Sequence, residues 1–127
     1  MNAWEAASMW KSYILPLADQ GYTLISPACT NGPSGIQWYK DFFWKACTDC
    51  KVDVLATHYY GTDPTDLINY LIELHDTFHL DIWLTEFACQ DFSYRSSCLD
   101  PFGFLATVKA FMDVTPWVKA YFAFGAL

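Results

Sequence analysis

Residues 81–88, Asp-Ile-Trp-Leu-Thr-Glu-Phe-Ala, are the stretch of this sequence that most clearly indicates the fold. The apolar run is typical of a β-strand buried on both faces, and it ends on a carboxylate, Glu86. Burying an ionised carboxylate is costly unless it is paired or opens onto a cleft. In parallel α/β folds, ligands bind at the carboxyl ends of the strands. We therefore predict that Glu86 is catalytic; the alternative is a structural carboxylate that caps the next loop.

Three further apolar runs recur along the chain at roughly the spacing of βα units. They lie at residues 22–28, 52–60 and 118–125. The segments between the runs, and the segment that opens the chain, have apolar residues at helical spacing. These predicted helices span residues 3–19, 35–47, 64–78 and 101–113. The order α-β-α-β-α-β-α-β predicts an α/β fold with four parallel strands in sequential order.

Two architectures are compatible with this order, namely a small open doubly wound sheet and part of a (βα)8 barrel. No Gly-rich phosphate-binding loop follows any predicted strand, which removes the usual support for nucleotide binding in an open sheet. A complete (βα)8 barrel needs at least ~200 residues, so 127 residues supply about half of one. We expect residues 1–127 to form a single domain.

The composition predicts a packed core and excludes some partners. Hydrophobic residues make up 54% and aromatic residues 19% of the chain, which is far from the composition of a disordered protein. The net charge of -7, without any cluster of Lys or Arg, argues against binding to nucleic acid or to an anionic membrane surface. No apolar run approaches the ~20 residues of a membrane-spanning helix. Asn2, Glu5 and Ser8 interrupt any signal-peptide core, so none is predicted.

The five cysteines indicate an ancestor from an oxidising compartment, because the cytosol keeps thiols reduced. Cys89 and Cys98 flank a polar loop of suitable size, and we predict a disulfide between them. Cys47 and Cys50 form a C-x-x-C motif without a second pair at zinc-like spacing, so no metal site is predicted. These two cysteines are expected to pair with each other or with Cys29.

The second predicted strand also ends on residues able to take part in chemistry. Because side chains alternate along a strand, His58 and Tyr60 lie on one face, and the same rule places Ile82, Leu84 and Glu86 together in the next strand. If both sets face a barrel interior, the phenol and the imidazole meet the Glu86 carboxylate at the rim. Hydrogen bonds from such groups hold a carboxylate ionised and oriented, as a nucleophile requires. The alternative for His58 is a hydrogen-bonded core histidine.

Three segments together resemble a known family. They read Gly-Tyr-Thr-Leu-Ile-Ser-Pro-Ala at 21–28, His-Tyr-Tyr at 58–60 and Trp-Leu-Thr-Glu-Phe-Ala-Cys at 83–89. This pattern resembles the fungal Asl1-like glycoside hydrolases, the β-1,3-glucanases of glycoside hydrolase family 128. The resemblance implies a retaining (βα)8 barrel of which this chain supplies strands five to eight, without a cofactor. It further implies Glu86 as the nucleophile, and His58 and Tyr60 as residues that line the β-glucan cleft.

Two departures from the family pattern bear on activity. The general acid/base Glu of the family lies in an Asn-Glu-Pro segment at the end of the fourth strand, and this sequence has no equivalent. The last strand of the family commonly reads Arg-Tyr-Ala-Trp-Phe-Gly, where this chain reads Ala-Tyr-Phe-Ala-Phe-Gly at 120–125. Ala120 thus replaces the Arg, and Ala123 replaces the sugar-stacking Trp.

From these departures we expect a glucanase-type domain that is truncated and weakly active or inactive on its own. The alternatives are a non-catalytic β-glucan-binding remnant and a vestigial fragment without independent function. Only the glucanase expectation requires a second carboxyl group, because retaining hydrolysis needs two; the binding remnant and the vestigial fragment require none. The unpaired edges of a half barrel also predict self-association. For the parent family the resemblance implies an extracellular or cell-wall location.

Overall fold

A sheet of four parallel strands forms the centre of the protein, and helices pack against one of its faces. The computed structural model describes residues 1–93 and 96–125. The strands are β1 (Cys29–Thr30), β2 (Val54–Gly61), β3 (Asp81–Asp91), β4 (Ser96–Ser97) and β5 (Val118–Ala123). The α-helices are α1 (Ala3–Met9), α2 (Pro33–Asp41), α3 (Pro64–Phe78) and α4 (Pro101–Asp113).

The parallel strands follow one another in sequential order, β1-β2-β3-β5, which confirms the predicted α/β fold. The expectation of purely parallel pairing is wrong in one place. The two-residue strand β4 pairs antiparallel with the end of β3, with Gln90 opposite Ser97. The reason is local, because the disulfide between Cys89 and Cys98 holds the returning loop beside β3, with 5.4 Å between the two Cα atoms.

The first strand is shorter than predicted and begins later in the sequence, at Cys29. Within 22–28, only Ile25 makes a bridge to β2, and the ladder proper begins at Cys29. Pro27 has no backbone N–H to donate, and the Ser26 hydroxyl takes the place of a backbone acceptor for the Ala56 N–H at 2.9 Å. The segment therefore runs beside β2 without forming a regular ladder.

Two of the predicted helices, at 64–78 and 101–113, have the bounds of α3 and α4. The helix predicted over 3–19 is instead divided into α1, a π-helix at Trp10–Ile14 and a 3₁₀-helix at Leu15–Gln20. Pro16 explains the change of type, because it cannot donate the N–H that an α-helical turn requires. The helix predicted at 35–47 begins earlier, at Pro33, and ends as a π-helix at Phe42–Ala46.

The core lies between the sheet and the helices. Side chains that are fully buried here come from α2, α3, α4 and the helix-facing side of the strands, where apolar burial stabilises the fold by roughly 25 cal/mol per Å². This set includes Tyr39, Leu55, Tyr59, Leu67, Leu71, Leu74, Ile82, Leu84, Phe87, Val108 and Met112. Across residues 1–93 and 96–125, no helix has the length and apolar character needed to cross a membrane.

The structure also settles the pairing of the cysteines. Cys89 is bonded to Cys98, as predicted, and Cys47 is bonded to Cys50 with a Cα–Cα distance of 5.1 Å. Cys29 remains a free, half-buried thiol. Of the two alternatives for the C-x-x-C motif, the pairing of Cys47 with Cys50 is therefore the correct one.

Candidate active site

The side chains of Glu86, Tyr60 and His58 meet on the side of the sheet away from the helices. The Tyr60 hydroxyl donates a hydrogen bond to Oε1 of Glu86. The other carboxylate oxygen, Oε2, lies 3.8 Å from Nδ1 of His58. The side chains of His58 and Glu86 are 30% and 28% exposed, so the carboxylate is supported by neighbours and still open to solvent. The structure thus brings together the three residues that the sequence singles out.

Glu86 does not end its strand, as the sequence predicted. The strand β3 continues to Asp91, and its parallel ladder with β2 continues to Cys89. Glu86 is nevertheless level with the carboxyl ends of the outer strands. It lies opposite His58, which pairs with Thr30 at the end of β1, and β5 ends at Ala123 one residue further along.

The route by which Glu86 reaches this face also differs from the prediction. Ile82 and Leu84 are fully buried against the helices, whereas Glu86 lies on the opposite face. Strict alternation, which places these three side chains together, is therefore wrong for β3.

A β-bulge at Thr85 is the cause. Leu84 pairs with Thr57, but the next pair along β2 joins His58 to Glu86, so Thr85 is an extra residue without a partner position. The ladder with β5 shows the same surplus. A bulge places two consecutive residues on one side of the strand and so re-aims the next side chain. The bulge is what puts the Glu86 carboxylate on the face of His58 and Tyr60.

The residue between His58 and Tyr60, Tyr59, follows strand alternation and faces the core. Tyr59 is fully buried, and its hydroxyl donates to Oδ2 of Asp66 at 2.8 Å. Burial, followed by the nearby Asp66 carboxylate, raises the pKa of Tyr59 well above its usual range. Two adjacent tyrosines therefore have different roles, one structural and one beside the candidate catalytic carboxylate.

Asn31 is a residue of the site that the sequence analysis did not select. Its side-chain Oδ1 accepts from the Tyr60 backbone N–H at 2.9 Å, and its Nδ2 donates to the Tyr60 carbonyl at 3.1 Å. A signal was present, because Asn31 directly follows the first strand and precedes Gly32-Pro33. Polar residues at the carboxyl end of a parallel strand are candidates for a site.

Aromatic rings surround the exposed side of Tyr60. The ring centroids of Phe92 and Phe124 lie 5.1 and 6.1 Å from that of Tyr60, and both phenylalanines are more than half exposed. A cavity of about 330 Å³ opens beside them and is lined by Thr30, Asn31, Tyr60, Asp91, Phe92 and Ser93. Within the described ranges, no three His, Cys, Asp or Glu side chains group as ligands of a metal ion would.

The chain is also similar to known glycosyl hydrolases. The profile of the family described as "Glycosyl hydrolase catalytic core" matches residues 1–127. The chain belongs to this family. It is 43% identical over 91 residues to Alkali-sensitive linkage protein 1 of Schizosaccharomyces pombe, a match that covers 70% of this chain and 16% of that protein.

Solved structures of the family have the same fold over the whole chain. A subgroup VI exo-β-1,3-glucanase of glycoside hydrolase family 128 from Aureobasidium namibiae is 32% identical, with a TM-score of 0.87 over 100% of this chain and 50% of that one. A subgroup III curdlan-specific exo-β-1,3-glucanase from Blastomyces gilchristii, in complex with glucose, is 29% identical, with a TM-score of 0.82 over 98% and 54%.

A third relative was solved with a longer ligand. It is a subgroup I endo-β-1,3-glucanase from Amycolatopsis mediterranei in complex with laminaripentaose, 28% identical, with a TM-score of 0.81 over 98% of this chain and 54% of that one. The chain thus spans about half the length of these enzymes. The predicted membership of family 128 is confirmed, whereas the roles of Glu86, His58 and Tyr60 remain predictions.

Proposed function

We propose that this glycosyl hydrolase chain provides the nucleophile side of a retaining β-1,3-glucanase active site, with Glu86 as the nucleophile. The observation that supports this most strongly is the hydrogen bond from Tyr60 to the partly exposed Glu86 carboxylate, level with the carboxyl ends of the outer parallel strands. In (βα)8 enzymes catalytic groups project from that end of the sheet. Correspondence of the chain to strands five to eight of such a barrel is part of the proposal.

The proposed reaction has two steps. In the first, the ionised Glu86 attacks the anomeric carbon and forms a glycosyl ester, while the glycosidic bond breaks and its oxygen takes a proton from a second carboxylic acid. In the second step, water gives its proton to that second carboxylate and releases the sugar from Glu86. The second group stands ~5 Å from the nucleophile in retaining enzymes and is proposed to come from the other half of the barrel.

Tyr60 and His58 orient the proposed nucleophile. The Tyr60 phenol donates its hydrogen bond to Oε1, which leaves Oε2, on the side of His58, as the attacking oxygen. Phe92 and Phe124 offer exposed aromatic faces next to the Tyr60 ring, which suit the apolar face of a sugar ring. They are the proposed local substitutes for the stacking Trp that Ala123 replaces.

The proposed substrate is a β-1,3-glucan, because the similar structures are β-1,3-glucanases and one holds laminaripentaose. Endo-type action is part of the proposal, and the similar structures include both exo- and endo-β-1,3-glucanases. The two disulfides support a proposed extracellular or cell-wall location, because such bonds persist in oxidising compartments. The second candidate is a non-catalytic glucan-binding fragment, favoured by the half-length match to the enzymes.

The test compares three proteins for release of reducing sugar from laminarin. The 127-residue chain alone is expected to show negligible turnover, because general acid assistance typically contributes about 10²–10⁴-fold in rate. The chain joined to the first half of a family 128 glucanase is expected to hydrolyse laminarin. Glu86→Gln in the joined protein should abolish this activity, whereas Glu73→Gln, at an exposed position on α3, should not.

Two outcomes would contradict the proposal. Robust turnover by the chain alone that disappears in Glu86→Gln would show a second catalytic group within these 127 residues. If the joined protein binds laminarin immobilised on a column but releases no reducing sugar from it, the glucan-binding alternative would be supported instead.

A further inference from the structure

The side chain of Asn31 continues the ladder between β1 and β2 after β1 has ended. The last pair of that ladder joins Thr30 to His58, and the Asn31 backbone N–H still donates to the His58 carbonyl at 3.1 Å. Beyond this point the side-chain amide of Asn31 forms hydrogen bonds with both backbone groups of Tyr60, with the N–H at 2.9 Å and with the carbonyl at 3.1 Å. A single side chain thus acts as the next residue of a parallel strand would.

Only a carboxamide at this reach can form both bonds. An aspartate accepts but has no hydrogen to donate to the Tyr60 carbonyl, and glutamine is one methylene longer. The Thr30 hydroxyl donates to Oδ1 of Asn31 at 3.1 Å, which agrees with the oxygen facing the Tyr60 N–H. The side chain is half-buried, so water does not freely replace it.

We propose that Asn31 is a positioning residue for Glu86 that acts through Tyr60. Fixing the Tyr60 backbone sets the direction of its side chain, and the hydroxyl at the far end of that ring contacts Oε1 of Glu86. A small rotation at the backbone becomes a larger displacement at the hydroxyl. The inference rests on the proposed function only where it concerns catalysis; the coupling of Asn31 to Tyr60 and Glu86 is structural.

The structural part is tested by NMR on the full 127-residue chain, with ¹³Cζ-labelled tyrosine. The Tyr60 ¹³Cζ resonance reports the hydrogen bond of the phenol, and Glu86→Gln defines its position without the carboxylate. We expect Asn31→Asp and Asn31→Ala to move this resonance towards that position. Asn69→Ala, at an exposed position on α3, should leave it unchanged. Unchanged resonances in both Asn31 variants, with the remaining tyrosine resonances at their folded positions, would overturn the inference.

The catalytic part is tested in the joined protein that hydrolyses laminarin. Asn31→Asp is expected to lower kcat by about tenfold or more with little change in KM, because small misplacements of catalytic groups are costly. In a Tyr60→Phe background the same substitution should have no further effect, since coupled residues are not additive. An equal loss in both backgrounds would overturn the inference. An inactive joined protein, combined with the expected movement of the Tyr60 resonance, would contradict the proposed function and support the coupling.

Discussion

At the scale of single residues, the surroundings of a side chain decide its role more than its chemical type does. Tyr59 and Tyr60 are adjacent, yet Tyr59 is buried on the helix-facing side and donates to Asp66, whereas Tyr60 donates to Glu86 at the open face. Alternation along β2 separates them, because consecutive side chains lie on opposite sides of a strand. The same rule made it predictable from the sequence that His58 and Tyr60 lie on the same face of β2.

The free thiol of Cys29 allows a residue-scale prediction. Burial raises the pKa of Cys29 from its ordinary value of 9.0 to about 11, so at pH 8 the folded chain holds about a hundredfold less of the reactive thiolate. We expect iodoacetamide to alkylate Cys29 at least tenfold more slowly in the native chain than in 6 M urea. Without reductant, a single thiol per chain should react in urea, because the other four cysteines are in disulfides. Equal rates in both conditions would contradict the assigned burial.

At the scale of elements, the sequence predicts those parts that depend on local pattern. The helices at 64–78 and 101–113 have their predicted bounds because Asp63 and Asp100 cap them and proline occupies the first turn. The course of 22–28 and the bulge at Thr85 were not predicted. Both depend on tertiary contacts, since a bulge is defined only by the register of neighbouring strands.

The bulge provides a prediction with a matched control. Deleting Thr85 removes an unpaired residue and makes β3 regular, so Ile82, Leu84 and Phe87 keep their places in the core. We expect this deletion to lower the free energy of unfolding by less than about 2 kcal/mol. Deleting Leu84 instead shortens the chain equally but moves Thr85 into the core, which should cost about 3 kcal/mol or more.

Urea unfolding followed by circular dichroism measures both deletions. Substituting Thr85→Ala keeps the bulge and loses a single hydrogen bond, from the hydroxyl to the Thr57 carbonyl, so it should change stability by about 1 kcal/mol. If deleting Thr85 destabilised the chain as strongly as deleting Leu84, the assignment of Thr85 as the surplus residue would be wrong.

At the scale of the whole molecule, the predicted α/β class and parallel strand order are confirmed, and so is membership of the glucanase family. That the chain holds one side of a site with two carboxyl groups stays a proposal, because the second group of a retaining site would come from strands other than β1 to β5. Self-association through the open edges of the sheet stays a prediction.

Three tyrosine hydroxyls in the core predict how the stability of the whole chain depends on pH. Burial is the largest cause that raises the pKa values of Tyr39, Tyr59 and Tyr70 above their ordinary 10.0. The folded state therefore favours the neutral phenols, and the unfolded state loses these protons first. The stabilisation is complete below about pH 9 and declines as the pH rises above 10, by up to ~1.4 kcal/mol per pH unit for each tyrosine.

Urea unfolding at intervals between pH 7 and 11 measures this dependence. Absorbance at 295 nm should show the buried phenols ionising together with loss of the far-ultraviolet circular dichroism signal. In Tyr70→Phe the decline of the free energy of unfolding with pH should be shallower by about one tyrosine's share, because one buried phenol is removed. The fold should be retained, since the Thr57 hydroxyl keeps its hydrogen bond to the Cys29 carbonyl at 3.0 Å. Tyr13→Phe, which changes an exposed ring, should leave the slope as it is. A free energy of unfolding that stays constant to pH 11 would contradict the burial of these hydroxyls.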